Sequence, residues 1–407
     1  MRETSELLSC DAVALYGNGE IADPDFDLDR LVSIAGQFDG ASEVLAEIFP
    51  SAEVLRGAPE ALIGHDPDFL SSTRATFAQI DRDHGRVSPV LLVRIRDAII
   101  WSNMLFVVAQ GRVVPLYECY RPNDRSAKGE RIVARLAACA ERRTLDLEGR
   151  PGLFMGSAGS FNYGHWLVDD FPALACANAL WPASAPARVL ISRFAYGAID
   201  AIREEGVRLA LGPERSVEVD HLDPTVAYHV RNIHFATPPS YHPLTKHPAS
   251  IAYTRAVIQR IVSEGNDRAR PRKIFVNRAP NWFRHLVNVD DLRSVLAQAG
   301  YEEVFPEAMP LHEQWATFSA ADGVVGIMGA AMAGSLLCPP GSRSGYLAAS
   351  GWLEPFFWDL AAMAGHRYAA AFGRDDGVGD HLYQRSFSVD PDLLASLIKS
   401  MSARPPA

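Results

Sequence analysis

The chain has no paired cysteines. Its five, Cys10, Cys119, Cys139, Cys176 and Cys338, are odd in number, widely spaced and form no CxxC pair. That spacing excludes a disulfide framework or a zinc knuckle and reads as reduced, mostly buried thiols. It also has no long apolar run. The nearest candidate, ADGVVGIMGAAMAGSLLCPPGS at 321–342, is broken by glycines and prolines and falls short of the roughly 18–20 apolar residues of a membrane helix. The opening MRETSELLSCDAVALYGNGE holds no apolar h-region, so no signal peptide is expected. Nor is there an excess of basic charge. Thirty-nine Lys and Arg stand against 49 Asp and Glu, for a net charge of −10 and a pI near 5.7, so general nucleic-acid binding is not expected. Local basic pockets for phosphate stay compatible with this balance. No repeat of fixed short period occurs, and the tail SARPPA is the one low-complexity tract. A cytoplasmic protein is expected, without a transmembrane segment and with peripheral membrane docking left open.

What is present is an ordinary globular composition, 48% hydrophobic and 22% charged over 407 residues, long enough for two or three domains. DPDFDLD at 23–29 and DPDF at 66–69 read as turns and helix caps rather than metal motifs. Residues 88–118 alternate branched and aromatic with polar residues, and Gly111 marks a hairpin, which predicts strands. A helix is expected over SAKGERIVARLAACAERR, 126–143. From about 130 to 240 strand and helix patterns alternate, as in a mostly parallel sheet. SEGNDRARPRK, 263–273, is polar and basic and is the expected linker. The rhythm then restarts with KIFVNR, NVDDLRSVLAQAG, YEEVFP, PLHEQWATFSAA and DGVVGIM. Two α/β units are therefore expected, 1–264 with a β-rich part to about 120, and 265–407, facing a cleft between them.

Three stretches carry chemistry. In SFNYGHWLVDDFPALACANAL, a helix from about Asn162 would stack His165 and Asp169 on one face, turn Leu167, Phe171 and Leu174 to the core, and bend or break at Pro172 just past the acids. The preceding GSAGSFN offers a tight turn and a cap. Such a pair suits a general base oriented by a neighbour; an ordinary His–Asp pair on a solvated face is the alternative. In KIFVNRAPNWFRHLVN a strand ends near Arg278, and Arg284 and Asn288 follow around a turn. Arginine forks there could hold phosphate or lie on the surface. In VVGIMGAAMAGSLLCPPGS a buried strand feeds Gly326, Gly329 and Gly334 and then a helix. This allows close backbone approach to a phosphate or close packing of small residues, and its spacing is not GxGxxG.

In order along the chain, NYGHWLVD, RAPNWFRHLVN, EQWATFSAA and GIMGAAMAGSLLCPPGS resemble glycosyltransferase family 61, of the bacterial capsular-polysaccharide type, over roughly residues 88–375. The family pattern reads N-Y-x-H-W-x-x-D, R-x(5)-R-x(3)-N, E-Q-x-x-x-F-x-x-A and G-x-H-G-A-x-L-x-N followed by P-P-G. The resemblance implies a GT-B architecture of two Rossmann-like domains. It also implies an inverting, metal-independent transfer of a sugar from a nucleotide-sugar donor to a hydroxyl of a glycan or related acceptor, in polysaccharide biosynthesis. Carried over by position, Asp169 is the general base and His165 orients it or contacts a sugar. Asn162, Tyr163 and Trp166 lie on the acceptor side. Arg278 and Arg284 meet the donor phosphates, with Asn288, Glu313, Gln314, Met328, Gly329 and Ala330 shaping that half.

The chain departs from the family where the loop histidine is Met328, the loop asparagine is Gly334, and an expected acid after PPGS falls near Gly345. A second reading follows, a catalytically silent member that binds nucleotide sugar or glycan as a scaffold. A hydrolase using His165 and Asp169 lacks a nucleophile motif such as GxSxG. His229, His234, His242 and His247 fit no metal-ligand spacing and are expected as solvated loop histidines.

Overall fold

The computed structural model describes residues 39–110, 112–116, 136–157, 159–194, 197–264, 269–278, 283–377 and 384–402. The segment at 23–29, Gly111 and most of the expected helix 126–143 lie outside them. The described end of that helix differs from expectation, because Arg142 and Arg143 open the strand Arg142–Leu145. By internal packing the chain forms two units, 1–52 with 88–242, and 53–87 with 243–407. This division differs from the expected boundary at 264/265. The helix Pro248–Ser263 and the residues after it belong to the second unit, so the polar stretch expected as a linker connects that helix to the strand Lys273–Val276.

The first unit is built on a mixed sheet of nine described strands. Val217–Leu222, Ala187–Ser192, Gly152–Phe154 and Ala227–Ala236 run parallel side by side. Val90–Trp101, Met104–Ala109 and Arg112–Pro115 then continue it antiparallel. Ser102 and Asn103, both at positive φ (50° and 62°), make the first hairpin, a turn whose twist matches its strands. The core draws on Ile95, Leu105, Val107, Phe154, Leu190, Val230 and Ile233, branched and aromatic residues that fit a pleated, buried surface.

The second unit carries the parallel order Glu302–Val304, Lys273–Val276, Gly323–Ile327, Arg343–Ala349, Arg367–Asp375. The antiparallel Phe387–Ser388 and the early strand Ala61–Gly64 both pair with the last of these. Counted from Lys273–Val276, the parallel strands run 2-1-3-4-5, a doubly wound order that reverses between the first and third. Asp66 caps the helix Pro67–Asp83, its carboxylate accepting from the Phe69 N–H at 2.9 Å, as the turn-and-cap reading of DPDF predicts. One buried charged cluster ties this unit together. The Asp359 carboxylate accepts from Arg56 Nε at 2.6 Å and Lys246 Nζ at 3.1 Å, and all three side chains are out of solvent. Lys246 Nζ also lies 3.9 Å from the centre of the Phe356 ring.

Candidate active site and anion site

In the first unit the chain leaves the strand Gly152–Phe154 and turns through Ser157 and Ser160 into a helical stretch, 163–180. Asn162 caps it, its side-chain oxygen accepting from the N–H groups of Gly164 (2.8 Å) and His165 (3.4 Å). Around Pro172, where a bend or break is expected, the stretch stays helical. It changes pitch instead, from α at Tyr163–His165 to a π turn at Trp166–Asp170, then 3-10 at Phe171–Cys176, then α at Ala177–Leu180. Proline's missing N–H falls in the first turn of the 3-10 segment, where the ladder is already shifting partners. Single π turns inside helices recur at functional sites. Leu167, Phe171 and Leu174 face the core as predicted.

His165 Nδ1 and Asp169 Oδ2 lie 2.9 Å apart, with side chains only 13% and 11% exposed. The other Asp169 oxygen accepts from the Ser240 hydroxyl. The His242 ring meets His165 edge-to-face at 4.6 Å and 81°. Ser240 and His242 follow the strand Ala227–Ala236, which pairs in parallel with Gly152–Phe154. The group therefore gathers at the carboxyl ends of two adjacent strands. Burial pushes the Asp169 carboxyl upward. The hydrogen bond and charge of His165, the charge of His242 and the Ser240 hydroxyl outweigh that and hold it at about 2. Asp169 is thus a fixed carboxylate behind an imidazole, which polarises a histidine toward base chemistry.

Asp170 points the other way and is buried. Burial pushes its carboxyl up to about 6, against the charge of Arg203. Arg203, fully buried, donates to the carbonyls of Ser192 (2.7 Å) and Met155 (3.2 Å), pinning the ends of two neighbouring strands. Sequence reasoning missed Ser240 and misplaced the histidines. His229 and His234 sit in the strand Ala227–Ala236, His247 caps the helix Pro248–Ser263, and all three are buried, so none is a solvated loop residue. An SxH pattern a few residues past a strand carries no signal of its own; only the fold brings Ser240 and His242 to Asp169. No group of three or more His, Cys, Asp or Glu side chains that could hold a metal ion occurs among the described residues.

In the second unit Arg278 follows the strand Lys273–Val276 and Gly329 follows Gly323–Ile327. These are the first and third strands, between which the order reverses; ligands of doubly wound sheets bind outside the carboxyl ends at that point. The two residues touch, since a Cβ on Gly329 would stand 1.6 Å from Arg278 Nη2. Arg278 Nη1 donates to the Phe283 carbonyl at 2.9 Å. Burial lowers its pKa, with Glu307's charge acting the other way, yet it makes no salt bridge with a described carboxylate. A partly buried guanidinium at the switch point of the sheet, held by a carbonyl rather than a carboxylate, suits an anionic ligand. Arg284 joins it. Its Nη1 donates to the Met328 carbonyl at 3.0 Å, its N–H to the Gln384 carbonyl at 3.2 Å, and its guanidinium carbon lies 4.7 Å from the centre of the Trp352 ring. Its φ of +60° costs an L-residue about 1–3 kcal/mol and persists where surrounding contacts over-determine it.

The structure thus gathers Arg278, Arg284, Met328 and Gly329, with Ala330 opening the 3-10 helix Ala330–Leu337. It gives other tasks to the rest. Asn288 bonds both backbone groups of Val389, Glu313 pairs with Arg270 at 2.7 Å, and Gln314 donates to the Met309 carbonyl at 3.0 Å. Asn162 is spent on its cap and Trp166 is buried, while Tyr163, half-buried, tilts against the Trp166 ring. The departures have local causes. Met328 is a core side chain, a Cβ on Gly334 would stand 2.5 Å from the Phe318 ring, and one on Gly345 would stand 2.6 Å from Met401 Sδ.

Residues 163–344 match the family described as Glycosyltransferase 61. The matched segment opens on the helical stretch bearing His165 and Asp169 and includes Arg278, Arg284 and the 328–330 loop. No curated protein matches the chain. No helix among the described residues is long and apolar enough to cross a membrane.

Proposed function

We propose that this protein is an inverting glycosyltransferase in which the first unit activates a hydroxyl of a glycan acceptor and the second holds a nucleoside-diphosphate sugar, without a metal. The similarity of residues 163–344 to glycosyltransferase 61 supports the transferase reading. The observation that carries the chemistry is the His165–Asp169 hydrogen bond with Ser240 on the far carboxylate oxygen. Inversion needs one base to take the acceptor proton as the new bond forms. A carboxylate held at about 2 is a weak base, because useful catalytic pKa values lie near the working pH. The roles expected from sequence are therefore exchanged: His165 takes the proton, and Asp169 fixes its ring and steadies the imidazolium. On the donor side the arginines supply positive charge for the departing diphosphate.

The pH profile of kcat/KM tests this assignment. Asp169 stays ionised at every pH above about 2, so as the base it would leave the rate flat down to pH 4. With His165 as the base the rate falls tenfold per unit on the acid side, where the imidazole carries a proton. Asp170 titrates near 6, so the acid limb must survive in Asp170→Asn to belong to His165. A flat profile from pH 4 to 8 refutes the assignment.

Gly329→Ala supplies a second prediction. The new methyl must displace the Arg278 fork. Nucleoside-diphosphate binding should then weaken as in Arg278→Ala, by about 1.5–3 kcal/mol for a lost hydrogen bond to charge, read by calorimetry. Unchanged affinity in both variants would detach this loop from the donor.

The scaffold reading is favoured by one observation, the apolar packing of Met328 and Gly334 where the family has polar residues. Donor hydrolysis or transfer by the purified protein decides for the enzyme; ligand-induced melting shifts without turnover decide for the scaffold.

A further inference from the structure

We infer that Trp352, outside the matched residues, is the positioning residue that sets Arg284 for the diphosphate of the donor; the inference rests on the donor reading of the second unit. Trp352 stands three residues beyond the strand Arg343–Ala349, past Gly351 at a φ of +87°. That strand neighbours Gly323–Ile327 in parallel register, so the indole emerges at the same carboxyl edge as Gly329 and Arg278. The Trp352 main-chain N–H donates to the Ala349 carbonyl at 3.3 Å, which folds the residue back over the strand end, and its side chain is half-buried.

Arg284 is consequently gripped from three successive strand ends and one opposing segment. Its own backbone arrives on the loop after Lys273–Val276. The Met328 carbonyl after Gly323–Ile327 takes one donor, the indole after Arg343–Ala349 lies against the guanidinium, and the Gln384 carbonyl takes its main-chain N–H. A carbonyl and an aromatic face fix the plane of a guanidinium while leaving its full positive charge. A flat, fixed fork is what paired recognition of diphosphate oxygens requires. The left-handed backbone at Arg284 fits a residue held in place for a ligand rather than for its own segment.

The test uses the full chain, inorganic pyrophosphate as probe, and calorimetry on wild type, Trp352→Ala, Trp352→Phe, Arg284→Ala and the double variant Trp352→Ala/Arg284→Ala. Trp352→Ala should weaken pyrophosphate binding roughly 3–30-fold, the reach of a partly desolvated cation–aromatic contact, and Trp352→Phe should recover part of the loss. In the Arg284→Ala background Trp352→Ala should cause no further loss, a coupling that a merely structural role would not produce. Unchanged binding in Trp352→Ala, or losses that add in the double variant, overturns the inference while leaving the donor reading intact. A wild-type protein that binds neither pyrophosphate nor any nucleoside diphosphate overturns the donor reading, and the inference with it.

Discussion

His165→Ala should lose sugar transfer by about 10²–10⁴-fold, the usual contribution of a positioned general base, while nucleoside-diphosphate binding stays close to wild type and the melting temperature falls, because Asp169 loses the main partner that offsets its burial. Asp169→Asn should lose at least ~10²-fold for a different reason. The acceptor hydroxyl would still meet an imidazole, but one no longer fixed at Nδ1 nor balanced by a carboxylate when it gains the proton. Asp169→Asn should also destabilise the fold. A carboxyl held at about 2 against an unfolded value of 3.8 contributes about 2 kcal/mol at neutral pH, present above pH 4 and lost as pH falls through 2. Ser240→Ala, which removes one of the two hydrogen bonds on that carboxylate, should fall between wild type and Asp169→Asn. Near-normal transfer in His165→Ala with a dead Asp169→Asn would return the base to the aspartate. Normal transfer in both would remove the pair from the reaction altogether.

The second large effect concerns stability and lies in the other unit. Asp359→Ala should destabilise the protein by about 3–5 kcal/mol, because it removes the carboxylate that two buried cations share and leaves Arg56 only the more distant, half-exposed Asp81 at 3.6 Å. Arg56 keeps the carbonyls of His84 and Leu244, but Lys246 keeps little beyond the Phe356 ring. The control is Arg56→Met/Lys246→Met/Asp359→Leu, which removes the charges together; apolar replacements of buried ion groups are often neutral or stabilising. Denaturant unfolding should place the triple variant well above Asp359→Ala. If Asp359→Ala alone unfolds at the wild-type midpoint, the cluster is not a determinant of stability.

How far the sequence revealed this structure depended on whether the signal was local. The strands around 90–115, the cap at Asp66, the core face of Leu167, Phe171 and Leu174, and the meeting of Arg278 with the Gly329 loop all rest on short patterns or on the rule that ligands gather at strand ends. The π turn at Trp166–Asp170 was not legible, since Pro172 announces a disturbance of the helix but not which way the pitch shifts. Ser240 and His242 were missed because they sit some 70 residues from Asp169 and no spacing rule links them. Asn288 and Gln314 bond backbone groups of nearby segments, because a polar residue at a helix start has such groups within reach, and Glu313 pairs with the Arg270 side chain; a motif does not show these contacts. The unit boundary was misjudged for the same reason: the strand Ala61–Gly64 is ordinary in sequence, and only its partner assigns it.

That strand has a consequence for synthesis. Ala61 pairs with Ala369, so at translation speeds of 5–20 residues per second it waits roughly 15–60 s for its neighbour. During that time Leu62, Phe77 and Ile80, all buried in the finished unit, have no partners, while the residues that enclose them in the chain, to about 242, already suffice for the other sheet. The nascent protein therefore carries an apolar insert looped out of an otherwise complete unit, a natural substrate for a holding chaperone. Fragments cut near residue 264 would preserve that state permanently: the first half would carry an orphan strand and helix, and the second would present an unpaired sheet edge along Ala369–Phe372, the kind of edge from which aggregation begins.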